Sequence, residues 1–311
     1  MKALVTGGSG FIGSHLVDAL LARGDRPIVV DDLSTGKREN LSPKVPFYQV
    51  DIRDLPALEQ VFAKERPEIV SHHAAQTDVR RSMADPTFDA QVNILGSIHL
   101  LWLCAKYGVR KFLFASTSAV YPEPESVPVD EDHPVRPVSA YGVSKYAIEK
   151  YVALYRDSYK LNFTIFRYGN VFGPRQNPHG EAGVVAIFSE QMLHNIQPTL
   201  FGDGKKTRDY IFVNDIVSAN LLAMDGGGEG EVFNLGWGKG TTDFEVFEAV
   251  RKALGVTVEP RYSPKRPGEL NRIALNCGKA KTLLGWVPRI PFEEAIRVTT
   301  GYYRHRTTSR P

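Results

Sequence analysis

The sequence has little of what several protein classes require. It contains 2 cysteines in 311 residues, too few for a disulfide framework, and this favours a reducing compartment. No apolar run approaches the ~18 residues that a membrane span needs. Its 38 basic and 35 acidic side chains give a net charge of +3, without the basic stripe typical of nucleic-acid binding. We therefore expect a cytoplasmic protein that binds neither membranes nor nucleic acids.

What remains is the composition of a soluble globular protein. Hydrophobic residues make up 42% and charged residues 23% of the chain, both ordinary values. A chain of this length buries enough surface for one large domain, or for two that share a cleft. An enzyme is the class that this composition favours.

The first half alternates short apolar runs with amphipathic stretches, which is typical of βα units around a parallel sheet. The pattern predicts strands at 3–6, 28–32, 47–50, 69–73, 111–116 and 163–167, and helices at 12–23, 55–64, 89–107 and 140–159. Further short helices are predicted at 184–194, 215–224, 243–254 and 292–302. We expect a Rossmann-type doubly wound α/β domain over 1–170, rejoined by segments near 210–236. A smaller C-terminal α/β region, 171–311, is expected to bind the substrate.

A glycine-rich loop follows the first predicted strand and opens the first helix. Gly7, Gly10 and Gly13 are spaced by three, and such glycines let a pyrophosphate approach backbone N–H groups at a helix N-terminus. An ordinary strand–turn–helix is the alternative, because a glycine pattern alone is weak evidence. The position between two predicted strands favours a dinucleotide site.

Acidic residues follow the second and third predicted strands. Asp31 has the spacing of a carboxylate that binds an adenosine ribose, and it would repel a 2′-phosphate, so NAD is favoured over NADP. Lys37 and Arg38 follow closely and temper that preference. Asp51 and Ile52, in the acidic stretch 51–54, could lie at the adenine edge, or the acidic residues could be helix N-caps, and both interpretations stay open.

Tyr141 and Lys145 lie four residues apart at the start of a predicted helix, which puts them on one face. Lowering a phenol pKa near 10 by about 3 units takes ~4 kcal/mol, which a neighbouring ammonium and a cationic nicotinamide ring would supply. An exposed helical pair is the plain alternative. However, three hydroxyl residues, 116–118, lie at the carboxyl edge of the predicted sheet, where ligands of such folds bind. Together with the Tyr–Lys pair and the glycine loop they indicate one catalytic site.

These motifs together resemble the extended short-chain dehydrogenase/reductase superfamily, and within it the UDP-glucose 4-epimerase family. The carriers are TGGSGFIGSH (6–15), HAAQ (73–76), NILGS (93–97), STSAVY (116–121), YGVSK (141–145), RYGNVFGP (167–174) and RDYIFV (208–213). The resemblance implies that Tyr141 is the general base, that Lys145 holds the cofactor ribose, and that Thr117 bonds the sugar 4-hydroxyl. It also implies a homodimer paired through helices 89–107 and 140–159.

The resemblance implies two further sets of contacts. The NAD contacts are Gly7, Gly10, Phe11, Ile12, Asp31, Asp32, Ser34, Asp51, Ile52, His73, Ala74, Ala75, Asn93, Ser116, Tyr141, Lys145 and Tyr168. Besides Thr117, the UDP-sugar contacts are Asn170 and Arg208 at the diphosphate, Arg266 and Glu269 at the nucleotide, and Thr199 and Phe201 at the uracil. No metal is expected, because His72 and His73 lack partners at ligand spacing.

The residues after Thr117 narrow the reaction. Related 4,6-dehydratases carry Asp-Glu there and related decarboxylases carry Ser-Glu, whereas this chain has Ser118 and Ala119. The resemblance therefore implies 4-epimerisation of UDP-galactose and UDP-glucose through a 4-keto sugar. A UDP-N-acetylglucosamine or UDP-glucuronate 4-epimerase stays open, as do a dehydratase, a decarboxylase and a non-catalytic NAD-binding regulator or scaffold.

Three positions depart from the family pattern. Pro122 stands where glycine is usual, and Asp32 replaces a common asparagine. Ile273 takes a place where some epimerases carry a tyrosine that limits an N-acetyl group. Acceptance of N-acetylated hexoses is therefore left open.

Overall fold

The computed structural model describes residues 1–179, 183–266 and 269–308. Its strands are β1 (Lys2–Thr6), β2 (Arg26–Asp31), β3 (Phe47–Gln49), β4 (Ile69–His72), β5 (Lys111–Thr117), β6 (Asn162–Tyr168), β7 (Asn170–Phe172), β8 (Thr199–Phe201), β9 (Thr207–Phe212), β10 (Glu231–Leu235), β11 (Gly240–Thr242) and β12 (Arg261–Ser263). Its α-helices are α1 (Phe11–Ala22), α2 (Leu55–Glu65), α3 (Val79–Ala84), α4 (Pro86–Ala90), α5 (Gly96–Tyr107), α6 (Ala140–Tyr159), α7 (Val184–Leu193), α8 (Val213–Met224), α9 (Asp243–Leu254) and α10 (Phe292–Thr308).

Seven parallel strands form the main sheet in the order β10-β6-β5-β4-β1-β2-β3. The chain starts in the middle of the sheet and builds outward in both directions. A crevice therefore opens at the carboxyl ends of β1 and β4, where the strand order reverses. This arrangement confirms the predicted Rossmann-type fold.

The strands read as continuous apolar runs because helices cover both faces of the sheet. Ala3 and Val5 of β1 face one buried cluster together with residues of α1 and α8. Leu4, between them, faces the opposite cluster, which α2, α5 and α6 complete. Alternation along each strand thus fills both layers of the core.

The C-terminal part adds small sheets and a third apolar cluster. One sheet has the order β11-β9-β7 and another pairs β12 with β8. Helices α7, α9 and α10 pack around Phe188, Phe247 and Ile296. In contrast, β10 joins the main sheet beside β6. The proposed division of the chain at residue 170 stays a prediction.

Two predicted helices differ in extent or regularity from the structure. The helix expected over 89–107 is interrupted by a π-helical turn, Gln91–Leu95, between α4 and α5. The last helix was expected to end at residue 302, but α10 continues to Thr308. It continues because Tyr303 is buried and its hydroxyl donates to the Gln176 carbonyl. None of the described helices combines the length and apolarity needed to cross a bilayer.

Candidate active site

A cavity of about 1470 Å³ opens at the carboxyl edge of the main sheet. Residues at the ends of five strands line it: Gly7 after β1, Asp31 in β2, His73 after β4, Ser116 in β5 and Tyr168 in β6. Because all five strands run parallel, residues distant in sequence meet at one edge.

The glycine loop forms one end of the cavity. A Cβ on Gly7, whose φ is +65°, would lie 2.7 Å from the Ala74 nitrogen, and one on Gly13 would lie 2.3 Å from the Gly7 carbonyl oxygen. No side chain caps the N-terminus of α1 at Gly10. The first-turn amides thus remain available for an anionic group, and the loop fits a dinucleotide pyrophosphate.

Two carboxylates lie beside this loop. Asp31 accepts hydrogen bonds from the Ser9 amide at 2.9 Å and the Leu33 amide at 2.8 Å. Its burial raises its pKa above the ordinary value, and the amides oppose that rise. Asp32 accepts from the Ser34 amide at 2.9 Å and from its hydroxyl at 2.6 Å. The carboxylates therefore stand in fixed positions where a ribose would meet them.

The two interpretations of the acidic stretch 51–54 apply to different residues. Asp54 is the N-cap of α2 and accepts from the Ala57 amide at 3.0 Å. Asp51 instead pairs with Arg53 at 2.6 Å and lines the cavity together with Ile52. The capping role thus falls to Asp54, while Asp51 and Ile52 remain placed for a nucleotide base.

Tyr141 and Lys145 project into the cavity from the first turns of α6. Ser139 starts this helix by accepting from the Gly142 amide at 3.1 Å. Burial raises the pKa of Tyr141 to about 12, against a lowering contribution from the Thr117 side chain. Burial likewise lowers the pKa of Lys145 to about 8.

The lowered pKa predicted for Tyr141 is therefore absent from the protein chain by itself. Desolvation penalises the charged phenolate more strongly than nearby groups stabilise it. Of the two sources that we invoked, the cationic nicotinamide ring is the one that the bound cofactor would add.

Ion pairs and backbone carbonyls hold Arg208, Arg266 and Glu269, which line another part of the cavity. The Lys206 ammonium lies 2.7 Å from Glu269 Oε2 and 3.3 Å from Asp243 Oδ2. Arg208 donates to the Thr207 carbonyl at 2.8 Å and to the Leu270 carbonyl at 2.9 Å. Arg266 lies 3.6 Å from Glu269. Its neighbours Pro267 and Gly268 lie outside the described residues, as does Gly180 in the loop after β7.

The chain is similar to a family of known proteins along most of its length. The model described as "NAD dependent epimerase/dehydratase family" matches residues 3–236. The chain belongs to this family. Membership confirms the predicted superfamily and the predicted cofactor, NAD.

Individual relatives match this chain over nearly its whole length. UDP-glucose 4-epimerase of Mycolicibacterium smegmatis is 44% identical over 99% of this chain and 100% of its own. A Thermotoga maritima UDP-glucose 4-epimerase structure with UDP-glucose is 47% identical, with a TM-score of 0.96, covering 99% of this chain and 100% of that one. A Thermus thermophilus UDP-glucose 4-epimerase complex with NAD is also 47% identical, with a TM-score of 0.93, covering 98% and 99%.

Most of the predicted NAD and UDP-sugar contacts line the cavity described above. They are Gly7, Gly10, Phe11, Ile12, Asp31, Asp32, Ser34, Asp51, Ile52, His73, Ala74, Ala75, Ser116, Thr117, Tyr141, Lys145, Tyr168, Asn170, Arg208, Arg266 and Glu269. The sequence placed them on many separate segments, and the sheet brings them together.

Three expected contacts, all among the described residues, lie outside the cavity wall: Asn93, Thr199 and Phe201. Asn93 accepts from the Gln76 amide at 2.9 Å and donates to the Gln76 carbonyl at 2.9 Å, so it orients a residue that does line the cavity. Phe201 lies under the Arg266 guanidinium, 3.6 Å from the ring centre. Thr199 accepts from Arg261 at 3.0 Å. Their direct ligand contacts stay predictions.

The strand-end histidines are held by hydroxyl groups. His72 lies between Thr6 Oγ1 at 2.7 Å and Ser97 Oγ at 2.8 Å, and burial lowers its pKa well below the ordinary value. His73 lies 2.9 Å from Ser71 Oγ, and no described partner reaches its Nδ1. The described part of the chain contains no cluster of three or more metal-ligating side chains.

The sequence analysis missed several residues that line the cavity. They come from α3, from the loop after β7 and from the end of α10: Arg80, Arg81, Gln176, His179, Tyr302 and Arg306. The arginines at 80 and 81 come four and five residues after the HAAQ motif at 73–76, which was an available signal. The α10 residues had none, because their approach to the cavity depends on tertiary packing. Of the departures from the family pattern, Asp32 and Ile273 line the cavity, and Ile273 is almost fully buried.

Proposed function

We propose that this protein is an NAD-dependent isomerase that interconverts UDP-galactose and UDP-glucose. The carrying observation is that one cavity joins the glycine loop, the Tyr141–Lys145 pair and the ion-paired wall around Arg208 and Glu269. Full-length relatives named UDP-glucose 4-epimerase support the reaction and the substrate.

The reaction needs a reversible oxidation at C4 of the sugar. NAD, when bound, supplies the hydride acceptor for this oxidation and the hydride donor for its reversal. Tyr141 takes the proton of the 4-hydroxyl and later returns a proton to the 4-keto sugar. Thr117, whose side chain interacts with Tyr141, is placed to bond the same hydroxyl. The 4-keto sugar rotates in the site and is then reduced on its opposite face.

Lys145 has two tasks in this proposal. Its ammonium holds the cofactor ribose, and its charge favours ionised Tyr141. Both tasks need a protonated amine, which burial disfavours in this chain. A carboxylate partner near Lys145 therefore matters to the reaction.

Because most of the binding energy comes from the nucleotide end of the substrate, the sugar ring is free to rotate in the site. Arg208 and Asn170 would hold the diphosphate, and Arg266 and Glu269 the nucleoside, while the sugar ring makes few polar contacts. Such a division keeps the 4-keto intermediate attached while either face turns to the cofactor. After Thr117, Ser118 and Ala119 supply no carboxylic acid of the kind a dehydratase uses.

The proposal includes a homodimer in the cytoplasm. Large apolar side chains stand exposed on α5 and α6: Trp102 at 38%, Tyr151 at 38%, Leu154 at 52% and Tyr159 at 59%. Pairing α5 and α6 with their copies would cover them. Both cysteines are free thiols, which supports a reducing compartment. Light scattering should give twice the chain mass, and Leu154→Glu should shift the protein to monomer.

Product analysis with a panel of UDP- and dTDP-hexoses, N-acetylated sugars included, tests the function. We expect UDP-galactose and UDP-glucose to interconvert, and Tyr141→Phe to lower kcat by about 10³-fold with NAD affinity within about threefold. Tyr146→Phe, on the same helix but outside the described cavity lining, is the control and should keep its rate. An inactive wild type that binds NAD would instead indicate a regulator or scaffold.

A further inference from the structure

A buried ion pair lies directly behind the catalytic groups. Glu149 of α6 and Arg167 of β6 are each 5% exposed. The guanidinium donates to both carboxylate oxygens, from Nε to Oε1 at 3.0 Å and from Nη2 to Oε2 at 2.7 Å. This bidentate pairing fixes the carboxylate plane as well as its position.

The same carboxylate reaches the cavity through Ser116. The Ser116 hydroxyl donates to Glu149 Oε1 at 2.5 Å, and Ser116 both lines the cavity and immediately precedes Thr117. In the β5–β6 register Ser116 lies opposite Arg167, and Thr117 lies opposite Tyr168. Glu149 thus connects the helix that carries Tyr141 to the strand end that carries Thr117.

Arg167 is itself held from its other side. Its Nη1 donates to the Tyr121 hydroxyl at 2.9 Å, and that hydroxyl donates to Asn234 Oδ1 at 2.8 Å. Tyr121 and Asn234 are fully buried. The network therefore extends from α6 through β5 and β6 to β10, and it leaves Glu149 little freedom to move.

Charged and titratable groups from three elements act on Lys145. Glu149 lies one turn further along α6, and Asp89 approaches from α4, and both carboxylates favour the protonated amine. From β4 and the residue after it, His72 and His73 stay neutral, because burial and the charge of Lys145 lower their pKa values. Tyr141 is the remaining titratable neighbour that the mechanism uses.

We propose that Glu149 is a positioning residue for the epimerase reaction: it fixes Ser116, and through it Thr117, relative to Tyr141, and places a negative charge one helical turn from Lys145. This inference rests on the proposed function. Glu149 touches neither substrate nor cofactor in this proposal, and it acts through Ser116 and Lys145.

The test measures kcat and KM for UDP-galactose in Glu149→Gln between pH 6 and pH 10. We expect kcat to fall about tenfold and KM to stay within about threefold, because the nucleotide wall is untouched. Loss of the carboxylate lowers the pKa of Lys145 further. The alkaline limb of the kcat profile should therefore move to lower pH by about half a unit or more.

Glu65→Gln is the matched control. Glu65 is also buried, accepts from the Tyr48 hydroxyl at 2.6 Å and lies 3.9 Å from both Lys2 and Arg26, but it belongs to the opposite edge of the sheet. The control is expected to lose stability, and its alkaline limb should not move. Ser116→Ala, which keeps the ion pair, should lower kcat without shifting that limb.

Several outcomes would overturn the inference. It is wrong if Glu149→Gln keeps kcat within twofold, or if Glu65→Gln shifts the limb equally. If Glu149→Gln does not fold, the double variant Glu149→Gln/Arg167→Gln, which removes both buried charges, carries the same expectation. A wild type that turns over no UDP-hexose defeats the proposed function itself, whereas an active wild type with an unaffected Glu149→Gln defeats only this inference.

Discussion

The two walls of the cavity are built by different means. The strand-built wall consists of Gly7, Asp31, His73 and Ser116, each at the carboxyl end of a parallel strand. The ion-pair wall consists of Arg208, Arg266 and Glu269, which Lys206, a neighbouring ion pair and backbone carbonyls hold in place. Backbone geometry determines the first wall and side-chain pairing the second.

This difference explains what each wall tolerates. In the strand-built wall main-chain atoms approach one another closely, so there is no room for an added methyl group. The backbone of the whole sheet sets the positions of these residues. In the ion-pair wall, partly exposed side chains hold one another, and solvent screens part of each interaction. We therefore expect damage to the first wall to be severe and damage to the second to be graded.

The largest effect is expected for Gly13→Ala. The new Cβ would lie 2.3 Å from the Gly7 carbonyl oxygen, so the loop must move, and NAD affinity should fall by more than about 100-fold. Calorimetric titration with NAD measures this. Gly301→Ala in α10 is the control, because no described neighbour outside its own stretch of helix lies within 4 Å of the new methyl. It should bind NAD normally, and its free energy of unfolding should rise by about 0.5–1 kcal/mol. Equal NAD affinity in the two variants would remove the distinction between the walls.

The second prediction concerns the acid sensitivity of β4, whose last residue, His72, lies directly before His73 of the strand-built wall. His72 has a lowered pKa in the folded protein, so below about pH 6.5 the unfolded chain binds a proton that the folded one refuses. Stability should then fall by about 1.4 kcal/mol per pH unit from this group. Denaturant unfolding between pH 5 and pH 7 should show a shallower fall in His72→Gln. The exposed control His194→Gln should keep the full slope, and an equal slope in all three proteins would contradict the assignment.

The smallest effect is expected in the ion-pair wall. Lys206→Met removes the partner of Glu269 at 2.7 Å, and KM for UDP-galactose should rise about tenfold with kcat nearly unchanged. Steady-state kinetics measure both constants. Lys205→Met is the control, since Lys205 has 83% of its side chain exposed and only a 3.9 Å contact with Asp203. A fall in kcat as large as the rise in KM would place Lys206 in the chemistry instead.

The sequence predicted the strand-built wall better than the ion-pair wall. Gly7, Asp31 and Ser116 lie at or just after the ends of predicted strands. Because the strands of a parallel sheet all end at the same edge, these residues must lie at that edge. Glu269 was assigned by resemblance, and no local pattern foretold its partner Lys206 on another segment. The α10 contacts were missed for the same reason, because Tyr302 approaches the cavity only through the packing of Tyr303.

The sequence by itself determined the sheet, the glycine loop and the helix that pairs Tyr141 with Lys145, since each depends on periodicity or spacing within one segment. Only the tertiary structure decided the electrostatics. In the chain by itself the environment of Tyr141 raises its pKa to about 12, because burial is a property of all the surrounding elements, whereas the expected lowering also counted on a bound nicotinamide ring. The Glu149–Arg167 pair is likewise invisible in sequence, since it joins a helix to a strand that pack together only in the folded chain.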